Sequence, residues 1–556
     1  MPTDDCKEHE PGSCDFDAIV VGAGHAGLYA LHRLRQAGFK VLVLEGSDDI
    51  GGTWYQNRYP GLRCDVESLV YSYSFDETLD VEWKWSERFP PQPEILEYLR
   101  HVADRFDLRR DIRLNERVEQ AEWNEAAGTW SLTTDKGEIY RAQFCILATG
   151  ILSVPSVPGT EQIGPFKGKW YHTGAWPKEG VDFTGLRVGV IGTGSSAVQS
   201  IPRIAEQAAL VTVFQRTAAY AIPAHNRPLT EEDHQWWRKN FRRVREANRW
   251  GTIIGFGDVR IDEEDRVYHF GSALDATPEE RAARYQKLWD QGGGQVTAAY
   301  PDLIVNQEAN DTLAAFIHGK IREIVKDPKT ADLLCPAGFP AGTKRPCLEI
   351  GYYEAFNRPN VTLMDARSDP IASTTEYGVR LQSGKDIELD AIVYATGYDA
   401  VTGAMLRMDI RGTDGLTIQE KWRDGPLTNL GIGLAGFPNL FTILGAQSPS
   451  AFTNCVVSIE QHIDWVADCV SYMRKRHVAR IDSDPAAETA WGDHCATLVN
   501  ATLFPKGTSW YMGDNIPGKP RRMLIYVGGV KAYREKCDEV AANGYEGFIF
   551  ARQQAA

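Results

Sequence analysis

Two glycine-rich strings are the residues of this chain whose types and spacing most directly indicate chemistry. Residues 22–27 read GAGHAG, and residues 192–197 read GTGSSA. Closely spaced glycines let a backbone approach a pyrophosphate, and the N-terminus of a following helix stabilises its negative charge. One such string is weak evidence. Two of them predict that the chain binds two dinucleotides.

The elements around the first string predict how it is positioned. An apolar, β-branched run at 17–21 indicates a buried parallel strand, and residues 28–36 indicate a helix that Gly38 closes. A second strand at 40–44 ends on an acid, which can accept hydrogen bonds from a ribose. This βαβ unit suits FAD or NAD. Its predicted cofactor-binding residues are Gly22, Gly24, Gly27 and Glu45.

The second unit differs at the end of its second strand. A strand at 186–191, a helix through Ile204 and a strand at 210–214 lead to Arg216 instead of an acid. An arginine there favours a 2′-phosphate, which a carboxylate would repel, so this unit suits NADPH. Arg216 could instead be an ordinary solvated charge. The predicted cofactor-binding residues of this unit are Gly192, Thr193, Gly194, Ser195, Ser196, Ala197, Arg216 and Thr217.

Length, charge and cysteine usage limit the class of protein. A chain of 556 residues predicts two or three domains. A net charge of −15 argues against nucleic acid or an anionic membrane surface as a partner. The acidic, polar stretch from Met1 to Cys14 predicts no signal or transit peptide, and no run of 18 apolar residues suggests a membrane helix. The ten cysteines lack a C-x-x-C pair, so we expect no metal, free thiols and a cytoplasmic protein.

The order of the motifs predicts an α/β fold with two Rossmann-like dinucleotide-binding domains and a helical insertion. Ala-Thr-Gly strings at 148–150 and 395–397 end apolar strands, where the chain is expected to cross between domains. The FAD domain is predicted at 1–150 and 391–556, and the NADP domain at 151–229 and 333–390. Residues 230–332 are rich in charge and tryptophan, and they predict a helical insertion that walls a substrate cavity.

The segment joining the two strings carries a resemblance to a known family. Residues 166–177 read FKGKWYHTGAWP, which matches F-x-G-x-x-x-H-x-x-x-W-P. This string is similar to the signature of the type I Baeyer–Villiger monooxygenases, which use FAD and NADPH. Further similarity extends from Asp17 to about Phe550. Residues 445–454 and 63–65 resemble the phenylacetone monooxygenase type within that family, although Gln447 and His25 depart from its usual residues.

The resemblance implies a reaction and residues that carry it. NADPH reduces FAD, the flavin forms a C4a-peroxide with O₂, and one oxygen atom is inserted beside a ketone carbonyl to give an ester or lactone. Arg345 is implied as the catalytic cation and Asp65 as the residue that holds it. A C-terminal loop near 500–518 closes over the nicotinamide. The further cofactor-binding residues implied are Thr53, Trp54, Asp65, Tyr71, Val118, Lys344, Arg345 and Trp510.

Other interpretations remain open at this point. A flavin monooxygenase that oxygenates nitrogen or sulfur is the nearest alternative, and an NADPH–flavin reductase without oxygenation is an alternative of another class. Asp65 and Arg345 could be an ordinary surface ion pair. His172 is interpreted, with Trp176, as a linker element between the domains. Gln447 could alter the substrate pocket. The expected partners are a small ketone and O₂, and the chain is expected to be a monomer.

Overall fold

Parallel strands form the centres of two sheets in the computed structural model, which describes residues 14–159, 163–250 and 271–552. Most of the N-terminal stretch interpreted above, from Met1 to Cys14, lies outside these residues. The strands, in chain order, are β1 Phe16–Val21, β2 Val41–Glu45, β3 Ile112–Leu114, β4 Val118–Asn124, β5 Thr129–Thr134, β6 Ile139–Leu147, β7 Lys169–His172, β8 Arg187–Ile191, β9 Leu210–Gln215, β10 Ala221–Pro223, β11 Cys347–Glu349, β12 Val361–Asp365, β13 Ile371–Thr375, β14 Gly378–Leu381, β15 Asp386–Glu388, β16 Ala391–Tyr394, β17 Asp409–Arg411, β18 Leu440–Thr442, β19 Val478–Ser483 and β20 Phe548–Arg552.

The α-helices connect and cover these strands. Their bounds are His25–Gln36, Thr53–Gln56, Glu77–Glu82, Gln92–Arg105, Ser195–Ala205, Glu231–Trp250, Pro278–Gln291, Gln307–Ile324, Pro328–Leu334, Tyr352–Ala355, Gly403–Arg407, Ile418–Lys421, Cys455–Lys475, Pro485–Asn500 and Val530–Ala542. Among the described residues, no helix combines the length and the apolar character needed to cross a membrane.

The first sheet holds the first glycine string. Its order is β17-β4-β5-β6-β1-β2-β3, with β18 also pairing with β6. Strand β1 pairs in parallel with β2 and with β6, so the carboxyl ends of these three strands meet at one edge. Strand β1 is buried along its last four residues and β2 along its whole length. Burial on both faces explains why both strands are continuous apolar runs.

The second sheet holds the second glycine string and is parallel throughout. Its order is β12-β9-β8-β16-β7. The predicted boundary at 390/391 is therefore wrong by a few residues, because β16 pairs with β7 and β8 inside this sheet. The chain leaves this sheet at residues 395–397, at the second Ala-Thr-Gly string. Strand β16 is buried along its whole length between β7 and β8, so it belongs to this sheet, and the chain crosses to the other domain only after it.

Two segments carry the chain between the sheets, and they run beside each other. Ser156 N donates to Gly397 O at 2.8 Å, and Asp399 N donates to Val154 O at 2.9 Å. Val401 N donates to Ile151 O at 2.8 Å. We call residues 151–156 the first crossing and residues 395–402 the second crossing. Any change in the angle between the two domains must bend this hydrogen-bonded pair of segments.

The segment predicted as a helical insertion spans both domains. Residues 251–270 lie outside the described part. The helix Glu231–Trp250 packs Trp237, Phe241 and Val244 into the core of the first sheet. The buried Arg245 holds Asp80 of that domain through bonds of 3.0 and 2.7 Å. The helices after residue 277 pack on the second sheet instead, with Leu288, Leu313 and Ile317 in its core.

A buried carboxyl group in β11 gives a testable pH dependence. Glu349 is 5% exposed, and its Oε2 accepts a hydrogen bond from Tyr352 N at 2.9 Å. Burial raises the pKa of Glu349 from 4.5 to about 7, and the nearby charge of Glu354 adds to this. The folded protein therefore binds a proton here that the unfolded chain releases at lower pH. Stability from this group is complete below pH 4.5 and is lost as the pH rises through 7.

We expect Glu349→Gln to remove this loss, because the amide is isosteric with the protonated acid. Between pH 5 and pH 8.5 the variant should gain about 3 kcal/mol relative to the wild type, or about 2–3 °C in Tm if the protein melts as one unit. Thermal melting of both proteins across this range checks the prediction. Glu354→Gln is the comparison variant, and it should reduce the pH slope only slightly, because burial and not the charge of Glu354 is the larger cause of the shift. Parallel Tm profiles for wild type and Glu349→Gln would contradict the assignment.

Candidate active site

A cleft of 1810 Å³ is bordered by the carboxyl ends of strands from both sheets and by the loops that follow those strands. Its lining comes from both domains and from the C-terminal segment around residue 510. None of the described residues of 230–332 line it, and residues 251–270 of the insertion lie outside the described part, so the role of the insertion as a cavity wall stays a prediction. The predicted site residues that line the cleft are Gly22, Gly24, Glu45, Thr53, Trp54, Asp65, Tyr71, Val118, Gly192, Thr193, Gly194, Ser195, Ser196, Arg216, Thr217, Lys344, Arg345 and Trp510.

Gly27 and Ala197 are the two predicted site residues outside this lining. A Cβ on Gly27 would lie 1.8 Å from Gly22 O, so only glycine lets the helix pack this closely on the loop. Ala197 is fully buried in the core of the second domain. Both residues thus pack a helix closely against its neighbours and do not line the cleft themselves.

The first glycine loop has the shape of a pyrophosphate cradle. Gly22 has φ +105°, and a Cβ on it would meet Ala148 O at 2.6 Å. Gly24 faces the Gly51–Gly52 pair, since a Cβ on Gly24 would lie 3.4 Å from the Cα of Gly52. The helix His25–Gln36 begins here and directs its free N–H groups to the loop. Bulkier residues would fill the space that the phosphates need, so the loop fits FAD.

Glu45 fastens this loop to the end of β2. Its carboxylate accepts hydrogen bonds from Ala23 N at 2.7 Å and from Ser47 N at 2.9 Å. The side chain is 8% exposed and still lines the cleft. A carboxylate has about four lone-pair sites, so two backbone bonds leave acceptor capacity for a ribose.

The second glycine loop is fastened differently. Thr193 Oγ1 donates to Thr217 O at 2.8 Å, while Gln215 turns away and donates to Leu333 O at 2.7 Å. A Cβ on Gly194 would meet nothing within 4 Å, so the start of the helix Ser195–Ala205 opens onto free space. This arrangement leaves the N-terminus of the helix accessible to a phosphate group.

Two cations stand beside that loop. Arg216 is exposed, and Lys344 is half-buried with its Nζ 4.2 Å from the centroid of the Phe339 ring. Burial lowers the pKa of Lys344, the charge of Arg216 lowers it further, and Asp514 opposes both effects. The lowered pKa of Lys344 means that its ammonium lacks enough negative charge around it. A bound phosphate would supply it.

Arg345 and Asp65 form a bidentate pair inside the cleft, although 280 residues separate them. Arg345 Nε lies 2.6 Å from Asp65 Oδ2, and Nη2 lies 2.9 Å from Oδ1. Arg345 Nη1 donates to Ala451 O at 2.6 Å. The side chains are 18% and 29% exposed. The guanidinium orientation is therefore fixed from two sides.

The pair stays fully ionised at neutral pH. Burial alone would raise the pKa of Asp65, but the charge and hydrogen bonds of Arg345 outweigh it and hold the pKa below its usual value. Burial likewise opposes the charge on Arg345, and Asp65 keeps its pKa well above the usual value. Such a pair places a permanent, oriented positive charge in a cleft, which suits stabilisation of developing negative charge.

His172, the histidine of the 166–177 string, links the end of β7 to both crossings through hydrogen bonds. His172 is 1% exposed, and its Nδ1 accepts from Gly174 N at 2.9 Å. The proton therefore lies on Nε2, 3.1 Å from Thr396 Oγ1, which donates to Ser156 O at 2.7 Å. Burial lowers the pKa of His172 to about 4, so the ring is neutral and unsuited to proton transfer at neutral pH. Trp176 is buried against Tyr171 and Phe183.

The two departures from the family pattern lie differently: Gln447 stands behind the cleft with its amide oxygen bonded, whereas His25 lines the cleft. Gln447 is 2% exposed with φ +66°, and its Oε1 accepts hydrogen bonds from Thr428 N and Oγ1 at 3.0 and 3.1 Å. It is not among the lining residues, so its amide supports the loop from behind. His25 lines the cleft, but its Nε2 is buried without a partner and its ring packs on Tyr71 and Tyr73.

Sequence reasoning did not find several parts of the site. The backbone carbonyl of Ala451 holds Arg345, and no side-chain pattern signals it. Val66, Cys455 and Ile459 line the cleft as well. Only their nearness in sequence to Asp65 and to the 445–454 loop could have indicated them.

Comparison with known proteins agrees with this geometry. Residues 19–248 match the family described as pyridine nucleotide-disulphide oxidoreductase. A Baeyer-Villiger monooxygenase of Pseudooceanicola batsensis is 43% identical over 542 residues, covering 96% of each chain. A phenazine N-monooxygenase of Lysobacter antibioticus is 41% identical over 96% of this chain and 97% of that one. A solved structure of an oxidized steroid monooxygenase bound to NADP aligns with a TM-score of 0.91 and 45% identity, covering 97% of this chain and 100% of that chain.

Proposed function

The chain belongs to the FAD- and NADPH-dependent Baeyer–Villiger monooxygenases, and we propose that Arg345 and Asp65 are the residues that carry its reaction. The enzyme inserts one oxygen atom of O₂ next to a ketone carbonyl, which gives an ester or lactone. Bound FAD, after reduction by NADPH, supplies the oxygen activation. The protein must bind both cofactors, exclude water and stabilise charge.

The bidentate Arg345–Asp65 pair in the cleft is the observation that supports this assignment. Negative charge builds on oxygen as it adds to the ketone carbonyl, and a fixed guanidinium stabilises that charge without reorganising. Asp65 fixes the plane of Arg345, and the carbonyl of Ala451 ties Arg345 to the 445–454 loop. Arginine suits the role because it stays protonated in every step.

We assign the 2′-phosphate of NADPH to Arg216, Thr217 and Lys344. Arg216 and Lys344 stand beside the second glycine loop, and the charge of Arg216 contributes to lowering the pKa of Lys344, which a bound anion would offset. Trp510 lines the cleft from the C-terminal segment, where its indole N–H suits a hydrogen bond to the cofactor. FAD is assigned to the first loop, with Glu45 at the ribose.

For the substrate we propose a bulky, uncharged ketone, such as an aryl, steroid-like or large cyclic ketone. The lining of the cleft includes Val66, which follows Asp65 in the chain, and Cys455 and Ile459, and these three side chains are apolar. Apolar walls cannot compensate the desolvation of a second charge on the substrate. We expect kcat/KM to be higher for a steroid ketone or phenylacetone than for a keto acid of matching size. A keto acid that outcompetes both would contradict this substrate class.

Oxygen-isotope labelling tests the proposed function. The FAD-loaded enzyme is turned over with NADPH, ¹⁸O₂ and a panel of ketones, and the products are analysed by mass spectrometry. We expect esters or lactones that carry one ¹⁸O atom and one NADPH oxidised per ester formed. Oxidation of NADPH with hydrogen peroxide as the only product, for every ketone, would favour the reductase alternative.

N-oxygenation is a second candidate activity, because one relative at 41% identity is named a phenazine N-monooxygenase. The same assay with an aromatic nitrogen heterocycle and an N-oxide readout compares the two activities. We expect kcat/KM for the ketone to exceed that for the heterocycle. The reverse order would make N-oxygenation the main activity.

We also infer a monomeric, cytoplasmic enzyme. The nine cysteines of the described part are free thiols, which is typical of a reducing compartment. The exposed large apolar residues of that part are scattered along the chain and do not form one apolar run. Light scattering during size exclusion should give a mass near 62.0 kDa.

A further inference from the structure

The C-terminal segment that lines the cleft is fastened on its other side by a buried lysine. Ser509, Trp510, Asp514 and Asn515 line the cleft. Lys519 turns away from it, and its Nζ lies 2.6 Å from Asp399 Oδ1 and 3.0 Å from Ala400 O. The lysine side chain is 7% exposed. A lysine is rarely this buried unless it is paired, so the contact is specific.

The anchor point is the second crossing between the two domains. Asp399 and Ala400 belong to residues 395–402, which run beside the first crossing. Asn515 adds a further bond to this segment, from its Nδ2 to Tyr398 O at 2.6 Å. Two side chains of the C-terminal segment thus hold three consecutive residues of the crossing. A shift of that crossing must pull on the segment that carries Trp510.

We propose that Lys519 is a positioning residue, which fastens the C-terminal segment to the second crossing and so makes its closure over the nicotinamide cofactor depend on how the two domains are arranged. This inference goes beyond the proposed reaction, because it concerns retention of the cofactor. Without the ammonium, the segment keeps the bond from Asn515 but loses its buried anchor, so more of its order must come from the bound cofactor. That ordering draws on binding energy and weakens the affinity for NADP⁺.

The ion pair between Lys519 and Asp399 is expected to persist at physiological salt concentration. Asp399 is 21% exposed and Lys519 is 7% exposed, so the pair is screened much less than a surface pair. Lys506 provides a contrast within the same segment. It is exposed, its Nζ lies 3.2 Å from Gln307, and it makes no described contact with the second crossing.

The test uses the FAD-loaded Lys519→Met enzyme, with Lys506→Met as the matched control. Three quantities are measured: the Kd of NADP⁺ from flavin difference spectra, the rate of proteolytic cleavage within 504–526 with NADP⁺ bound, and the limiting rate of flavin reduction at saturating NADPH. We expect the Kd to rise about tenfold, which corresponds to about 1.4 kcal/mol. Cleavage should be several-fold faster, whereas the limiting reduction rate should stay within about twofold.

Conservative variants separate positioning from general damage to the fold. Lys519→Arg keeps the cation and should restore most of the affinity for NADP⁺. Asp399→Asn should raise the Kd of NADP⁺ about as much as Lys519→Met does. The double variant should not raise the Kd further, because each change removes the same ion pair between Lys519 and Asp399. If Lys519→Met fails to fold, Asp399→Asn carries the same test. Wild-type NADP⁺ affinity and protection in these variants, or an equal loss in Lys506→Met, would overturn the proposal.

Discussion

Arg345→Ala should reduce ester formation about 10³-fold or more while flavin reduction by NADPH continues near its wild-type rate. The guanidinium is the cation that Asp65 and the Ala451 carbonyl orient into the cleft. Its removal takes away the charge that stabilises the reacting oxygen, and it leaves Asp65 as an unpaired carboxylate in a mostly buried place. Both effects act on the oxygen-transfer step, and neither acts on hydride transfer.

The measurement separates the two half-reactions. Anaerobic mixing with NADPH gives the rate of flavin reduction, and product analysis under air gives the yield of ester per NADPH. Arg58→Ala is the matched control, because Arg58 also lines the cleft but stacks on Tyr55 at 4.5 Å. Asp65→Asn should fall between wild type and Arg345→Ala, since it weakens the orientation and keeps the cation. A normal ester yield from Arg345→Ala would refute the proposed role of this residue.

The sequence was most informative where one local pattern determines the structure. The strand, glycine loop and helix around Gly22 are contiguous, so the position of each can be predicted from its neighbours. Accordingly, β1 starts only one residue before the predicted strand. The helix was predicted from Leu28 and begins at His25, because the loop glycines give way directly to helical residues. Glu45 and Arg216 were found from their position at the ends of second strands, which the βαβ unit fixes.

Contacts between segments that are distant in the chain could not be predicted from the sequence. The carbonyl of Ala451 reaches Arg345 across 106 residues, and a backbone acceptor leaves no trace in side-chain patterns. The sequence left the effect of Gln447 on the pocket open; in the fold its amide oxygen accepts a hydrogen bond from Thr428, and the residue does not line the cleft. The first insertion helix packs on the FAD side because Arg245 meets Asp80, a pairing that spans 165 residues. Spacing along the chain predicts elements, and such pairings decide where the elements pack.

The cofactor preference should reverse when both cations beside the second glycine loop are removed. Arg216→Ala and Lys344→Ala should each raise the NADPH concentration required about tenfold or more, since a charge-assisted hydrogen bond contributes about 1.5–3 kcal/mol. The double variant should lose about 10²–10³-fold in kcat/KM for NADPH if the two losses add. NADH lacks the 2′-phosphate, so its kcat/KM should stay within about threefold of the wild-type value.

Steady-state kinetics with both nucleotides check this reversal, and Arg203→Ala serves as the control. Arg203 lies on the helix that follows the second glycine loop, but it pairs with Glu206 on the exposed face. Salt dependence gives an independent readout, because two fewer cations facing a phosphate should flatten the rise of the NADPH KM with ionic strength. A double variant that keeps the full preference for NADPH would show that the 2′-phosphate binds elsewhere. The second cofactor would then have to be placed by other residues of the same cleft.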